Sequence, residues 1–247
     1  MDENKYLSEM DSRRFGFKIA KVDFSDDAND PGEIVSFLKE KEFRLIITKT
    51  ICEDIPLINR LEKLGFETMD FQVGYDYYVK KDTGSAIKFN SDFPVHAIDP
   101  ADVEPLVILA GQAFDGFGHY FADKRLDRKL CLEIYKDWTR NVCTNKDFAE
   151  IVYAAYDEGR PIGYFAFTER LLNKVPIASG VMGAVASSYN GKGIFQSLLA
   201  RGVEWAAAKG MVLKDMKVHT TNYPINTAFS KLGFRIGNSC ITMHCWL

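Results

Sequence analysis

Hydrophobic and polar positions in this chain switch repeatedly between the two-residue alternation of strands and the three-to-four-residue spacing of helices, which predicts a mixed α/β protein. Residues 15–24 (FGFKIAKVDF) alternate as a strand, and Pro31-Gly32-Glu33 opens a helical run over 34–41. An apolar stretch at 43–48 predicts a buried strand, and 55–64 a helix stopped by Gly65. Residues 66–80 predict further strand, including the aromatic run 75–79. A polar, turn-rich segment at 80–91 reads as a linker, so the expected organisation is a subdomain at 1–80, a linker at 81–92 and a larger domain at 93–247.

The larger domain begins with a strand at 95–98 and a helix at 102–114. A loop of aromatics (Phe117, His119, Tyr120, Phe121) leads to a helix at 127–142. Strands at 150–155 and 162–169 flank a turn at 157–161, and a strand at 177–187 runs into a glycine turn at 190–193. A helix at 194–209, a strand at 212–220, a helix at 224–232 and strands at 234–237 and 240–246 complete the chain.

Residues 56–66 (PLINRLEKLGF) align without a gap on 224–234 (PINTAFSKLGF). Proline starts and glycine stops are generic helix signals, so convergence is one explanation. Four identical residues in a row at one offset favour the other, a duplicated unit. The first copy has no glycine turn comparable to 190–193, so only the second half is expected to bind a ligand there.

Composition narrows the classes. The 247 residues carry a net charge of −3 and a pI near 5.9, against the basic excess a nucleic-acid binder needs. Five cysteines without a CxxC pair give no zinc or disulfide framework. The polar N-terminus and the lack of any apolar run near about 18 residues predict no membrane span and a cytoplasmic protein.

The strongest local signal is 181–199 (VMGAVASSYNGKGIFQSLL), an apolar strand, a turn with Gly191 and Gly193, and an amphipathic helix. Glycine lets a backbone turn tightly beside a ligand, and the first amides of a helix lack internal acceptors while the helix dipole is positive there. Together with Lys192 these make a candidate anion site; taken alone, a GxG between strand and helix also fits an ordinary tight turn. About 30 residues on comes 222–234 (NYPINTAFSKLGF).

At this point the sequence resembles the GNAT superfamily, whose R/Q-x-x-G-x-G/A turn is followed by an N-x-x-A-x-x-L-Y-x-x-x-G-F helix. Gly193 matches the first glycine, Asn222 the asparagine, and Gly233-Phe234 the ending. The resemblance implies a mostly antiparallel twisted sheet with flanking helices, preceded by a smaller degenerate GNAT-like α/β subdomain. It also implies acetyl-CoA as co-substrate. The end of a splayed strand (Val185, Ala186) and the turn Asn190, Gly191, Lys192, Gly193, Ile194, Phe195 and Gln196 would receive it. Asn222 and Phe229 would line the CoA arm, and the amide around Val185 would steady the oxyanion.

More narrowly, residues 10–17 (MDSRRFGF) and the segment 119–141, with Tyr120, Asp123, Tyr135 and Trp138, resemble the two-part GNATs that include TDP-fucosamine acetyltransferase. That implies a small-molecule acceptor, a nucleotide-linked amino sugar, and makes His119, Tyr120, Asp123 and Trp138 candidate acceptor-site residues. The alternatives are an amino acid, polyamine or protein amine as acceptor, or a non-catalytic CoA-binding module.

Three positions depart from the pattern. Asn190 stands at the R/Q position, and Phe195 at the last glycine/alanine, where its bulk must point away from a diphosphate. Phe229 replaces the tyrosine that protonates the leaving thiolate; a phenol with pKa about 10 can do so and a phenyl ring cannot. Asn226, one turn earlier, is a candidate holder of a proton-donating water, and Tyr223 a candidate acid. His219 and His244 read as structural. No metal is expected, and strand 240–246 is a candidate for pairing across a homodimer.

Overall fold

A computed structural model describes residues 1–25, 27–78 and 92–247. Most of the expected linker at 81–92 lies outside the described residues. In chain order the elements are α1 (Glu9–Phe15), β1 (Ile19–Val22), α2 (Pro31–Glu40), β2 (Leu45–Ile51), α3 (Ile55–Lys63), β3 (Glu67–Tyr77), β4 (Val95–Ala97), α4 (Val103–Ala113), α5 (His119–Ala122) and α6 (Arg128–Thr144). They continue as β5 (Ile151–Asp157), β6 (Arg160–Leu172), β7 (Val175–Val185), α7 (Ile194–Ala208), β8 (Leu213–His219), α8 (Tyr223–Lys231) and β9 (Arg235–Trp246). The fold is mixed α/β, mostly antiparallel, with flanking helices.

The chain forms two compact units, each assembled from separate segments. The first comprises Met1–Gln72, Gly116–Ile134 and Ser239–Leu247, and the second Val73–Asp115 and Tyr135–Asn238. The chain passes between them inside β3, between α4 and α5, inside α6 and inside β9. These units differ from the contiguous segments 1–80 and 93–247 expected from the linker composition.

In the first unit β2 pairs in parallel with β1 and antiparallel with β9, Leu45 opposite Trp246 and Ile51 opposite Cys240. The strand order there is β1-β2-β9-β3. Both edges of 240–246 are therefore paired within the chain, and that strand has no open edge to offer a second copy. The core gathers Ala20, Ile34, Leu38, Ile46, Leu61 and Met243, the inward positions of strands and helices at their own periods.

The second unit orders its strands β3-β8-β7-β6-β5-β4. β4 to β7 are antiparallel neighbours, and β7 meets β8 in parallel. The apolar stripe of α7 (Ile194, Leu198, Leu199, Val203, Ala206) packs with Phe165, Phe167 and Phe229.

Some expectations are corrected. The alternation at 15–24 is a strand only over Ile19–Val22, because Phe15 ends α1, buried against Phe17 and Tyr120. That helix has Glu9 and Asp11 in its first turn and Arg13 and Arg14 in its last, as the dipole favours. The aromatic loop contains the short helix α5, and the two expected terminal strands are one, β9.

The five cysteines are free thiols, and burial pushes Cys131 up to about 11 and Cys143 up to about 12, so both stay protonated. No helix among the described residues is long and apolar enough to cross a membrane.

Candidate active site

The site grows out of β7. Its parallel register with β8 consists of one pair, Ala178 with Leu213, where the Ala178 amide donates to the Val212 carbonyl at 2.9 Å. Beyond it side chains replace the backbone ladder. The Ser179 hydroxyl donates to the Lys214 carbonyl at 2.8 Å, and the Gly180 amide points at the Met216 sulfur at 2.9 Å. A Cβ on Gly180 would lie 2.7 Å from both Met216 Cε and the Phe165 ring, so only glycine fits this close approach. On its other side β7 stays paired with β6, with a register shift at Ala166/Phe167 and Val185 opposite Gly163.

The Ala186 amide donates to the Ile162 carbonyl of β6 at 2.9 Å. Successive amides of a strand point to opposite edges, so that of Val185 faces away from β6, toward the side where β7 and β8 have parted.

After β7 a single turn of 3-10 helix, Ser187–Tyr189, leads into the glycine turn. Gly191 and Gly193 sit at φ 78° and 79°, a conformation that costs other residues about 1 kcal/mol or more. The Asn190 amide donates to the Ser187 carbonyl and that of Lys192 to the Tyr189 carbonyl, at 3.2 and 3.3 Å. Those two amides close the turn and are not presented to a ligand.

By contrast, among the described residues no backbone carbonyl or side chain accepts from the amides of Gly191, Gly193, Ile194, Phe195 and Gln196. α7 has no side-chain cap, its N-cap being Gly193. Five amides at the positive end of a fifteen-residue helix can receive an anion. Lys192 is exposed, with its ammonium 4.6 Å from the Tyr189 ring centre. That ring is in turn held by a 2.6 Å hydrogen bond from its hydroxyl to Asp157.

Phe195 meets the condition its bulk imposed. Its ring packs edge-on against Phe165 and Phe229, with centroids 5.7 and 5.6 Å away, so it belongs to the core. Phe229 is likewise buried, stacked on Tyr75 at 4.7 Å with 5° between the planes and edge-on to Phe234. It packs among aromatics from β3, from α7 and from the residue just before β9.

Asn226 is not free to hold a water as expected. Its Nδ2 donates to the carbonyls of His219, Thr220 and Asn222 at 3.0, 3.2 and 2.9 Å, and its Oδ1 accepts from the Tyr75 hydroxyl at 3.0 Å. The Asn222 side chain caps α8, accepting from the Ile225 amide at 3.4 Å. Tyr223 is 72% exposed at the first position of α8. Sequence reasoning missed Tyr75 as a member of this group. It lies some 150 positions from α8, and the aromatic run around it carries no sign of a polar partner.

The four candidate acceptor-site residues do not come together in one unit. Trp138 belongs to the second unit, half-buried on α6. His119, Tyr120 and Asp123 belong to the first, and two of them have their polar atoms committed. The Tyr120 hydroxyl donates to the buried Asp11 at 3.0 Å, which also pairs with Lys21 at 2.7 Å. Asp123 receives Arg125 Nε, His244 Nδ1 and Trp246 Nε1 at 2.8, 2.9 and 2.8 Å, and His244 meets His119 at 2.9 Å. Burial alone would raise the Asp123 pKa, but the bonds from His244, Arg125 and Trp246 outweigh it and hold the carboxyl well below the usual range. This carboxylate is thus bonded within the first unit to Arg125, His244 and Trp246.

A strand that leaves its parallel neighbour runs into a glycine turn and then into a helix start able to receive an anion. Residues 115–234 match the acetyltransferase (GNAT) family. Those residues, just under half of the chain, thus form a GNAT acetyltransferase domain, of a family whose members use acetyl-CoA. Spore coat polysaccharide biosynthesis protein SpsD of Bacillus subtilis (strain 168) is 26% identical over 152 residues, covering 60% of this chain and 49% of SpsD. The match spans about half the length of that curated relative.

Among solved structures, a putative GNAT-family acetyltransferase from Novosphingobium aromaticivorans superposes with a TM-score of 0.51 at 14% identity, covering 74% of this chain and 68% of that one. A tandem GNAT protein from the clavulanic acid biosynthesis pathway gives 0.61 at 10% identity, covering 87% and 68%. At such identities these two establish the fold.

Proposed function

We propose that this protein transfers the acetyl group of acetyl-CoA to the amine of a small polar acceptor, and that the acceptor is a nucleotide-linked amino sugar. The observation that carries the reading is the set of five unpartnered amides at Gly191 and Gly193–Gln196, a fit for the CoA diphosphate. We place the pantetheine arm past Ala178, where the backbone ladder between β7 and β8 gives way to side-chain contacts. The Val185 amide faces away from β6, and we place the oxyanion beside it. The neutral amine attacks the thioester directly, and holding the two in line is worth about 7–11 kcal/mol of the barrier.

The amino-sugar acceptor draws support from SpsD, a protein named for polysaccharide biosynthesis, and from the resemblance of 10–17 and 119–141 to the TDP-fucosamine group. We place the enzyme in the cytoplasm and read residues 1–80 as a degenerate copy of the GNAT unit, on the repeat at 56–66 and 224–234.

Calorimetry with acetyl-CoA, followed by CoA-thiol release over a panel of amines, tests the reading. Micromolar binding and turnover with nucleotide-linked amino sugars are expected. Absence of binding at high micromolar acetyl-CoA refutes the co-substrate. Turnover confined to peptides or polyamines refutes the acceptor.

A further inference from the structure

Among the described residues, five other than glycine have a positive φ, and four of them, Glu42, Glu158, Asn173 and Lys174, lie in turns between elements. The fifth, Asp215 at φ 59°, sits inside strand β8. Left-handed backbone is disfavoured for most side chains, and aspartate is one of the few that visit it singly. Such strain persists only where the surroundings hold it. The Asp215 amide donates to Asp76 Oδ1 on β3 at 3.0 Å. Its carboxylate accepts from Arg170 Nη2 on β6 at 2.8 Å and from Asn238 Nδ2 on β9 at 3.1 Å, and pairs with Lys217 Nζ at 2.5 Å. Burial alone would raise its pKa, but the bonds from Lys217 and Arg170 outweigh it and hold the carboxyl at about 2. The backbone of β3 closes in as well, since a Cβ on Gly74 would meet Asn238 and lie 3.0 Å from Asp215 Oδ1.

The place of this turn is specific. Ala178 pairs with Leu213, so the same register carried two residues on would set Gly180 opposite Asp215. In that parallel ladder the Gly180 amide would donate to the Lys214 carbonyl. Instead the Lys214 carbonyl accepts from the Ser179 hydroxyl, and the Gly180 amide points at the Met216 sulfur. The residues on either side of Asp215 thus make the two contacts that replace the ladder. We propose that Asp215 is the positioning residue that keeps β7 and β8 apart for the acetyl-CoA arm. Its left-handed turn carries the neighbouring peptide groups out of register with Gly180, and its bonds to Asp76, Arg170, Lys217 and Asn238 offset the strain. The assignment rests on the acetyl-CoA reading above and adds to it the device that holds the strands open.

D215A and D215G, run beside the wild type, give the test. Both remove the carboxylate, but glycine keeps the left-handed backbone at no steric cost while alanine favours extended strand. In D215A the ladder should extend past Ala178. Hydrogen exchange of the Gly180 amide in the ligand-free protein should then slow by about tenfold, the factor by which alanine disfavours the turn. Acetyl-CoA affinity in calorimetry should weaken by about tenfold for the same reason, with kcat at saturating acetyl-CoA kept within about threefold. D215G should hold affinity within about threefold of wild type and leave Gly180 exchange unchanged. The melting temperature should fall no further in D215A than in D215G. Equal acetyl-CoA affinities in the two variants overturn the assignment. So does a weaker D215A that also melts below D215G with Gly180 exchange unchanged, which marks a packing role. If wild type itself fails to bind acetyl-CoA, the co-substrate reading falls, and the exchange comparison still decides whether Asp215 holds the strands apart.

Discussion

Two helices of this protein, α2 and α7, each lead out of a turn with their first amides exposed, and they are finished in opposite ways. At α2 the Asp30 carboxylate accepts from the Gly32 amide at 2.8 Å, the Asp30 carbonyl accepts from the Ile34 amide at 3.0 Å, and Arg60 pairs with the same carboxylate. Its dipole is answered by the protein's own anion. At α7 the cap is glycine and five amides wait. The helices α3 and α8 carry the sequence repeat and are capped alike, by Asp54 on the Leu57 amide and Asn222 on the Ile225 amide. Architecture therefore does not make a ligand site. On the reading proposed above, what makes one at α7 is the lack of a side chain such as the one that closes α2.

The same contrast holds for the charges of the first unit. Asp123 is committed to Arg125, His244 and Trp246, so D123N should be the most disruptive change, costing about 3 kcal/mol of stability in denaturant unfolding. The sign with pH follows from its lowered pKa. The carboxylate stabilises the fold fully above about pH 4, the unfolded value, and this contribution is lost as pH falls further. Melting temperature measured from pH 6 down to 2 should drop less steeply in D123N than in the wild type.

Giving α7 the finish of α2 is the next test. G193D places a carboxylate where the diphosphate would lie and should weaken acetyl-CoA binding by about 100-fold in calorimetry. G193N, with the same backbone demand and no charge, should weaken it by about tenfold less. Equal losses in the two would assign the effect to backbone strain alone.

Smaller again are the matched caps. N222A and D54A should each lose about 1 kcal/mol of stability in urea unfolding, since each removes one acceptor from a helix start. A loss in one and none in the other would end the structural equivalence of α3 and α8. The smallest effect belongs to Lys192, which is exposed over the Tyr189 ring. K192A should weaken acetyl-CoA by no more than about fivefold, and the deficit should shrink between 50 and 300 mM salt, roughly as surface charges do.

Most elements of this fold are legible locally, because strand and helix periods, proline starts and glycine stops act over a few residues. The turn at 190–193 was readable for the same reason, since positive φ at two nearby positions asks for glycine. What escaped depends on distant partners. Residues 116–134 and 239–247 join Met1–Gln72 through contacts that leave no mark on local composition. The Tyr120 hydroxyl answers Asp11, 109 positions away, and Asp123 answers His244 at 121, so both read as available when they are not. Asn226 read as a water holder because its partners, Tyr75 among them, could not be seen from α8 alone. Phe15 misled differently, as the buried end of one helix can look like the start of a strand.

The account turns on which peptide groups take the diphosphate. Titrating acetyl-CoA into ¹⁵N-labelled protein and following the backbone amides by NMR reads this directly. The amides of Gly191 and of residues 193–196 should shift strongly and saturate together, while those of Gly32 and Glu33 at the closed end of α2 stay in place. Shifts confined to other parts of the chain, with 191 and 193–196 unmoved at saturating ligand, would contradict it.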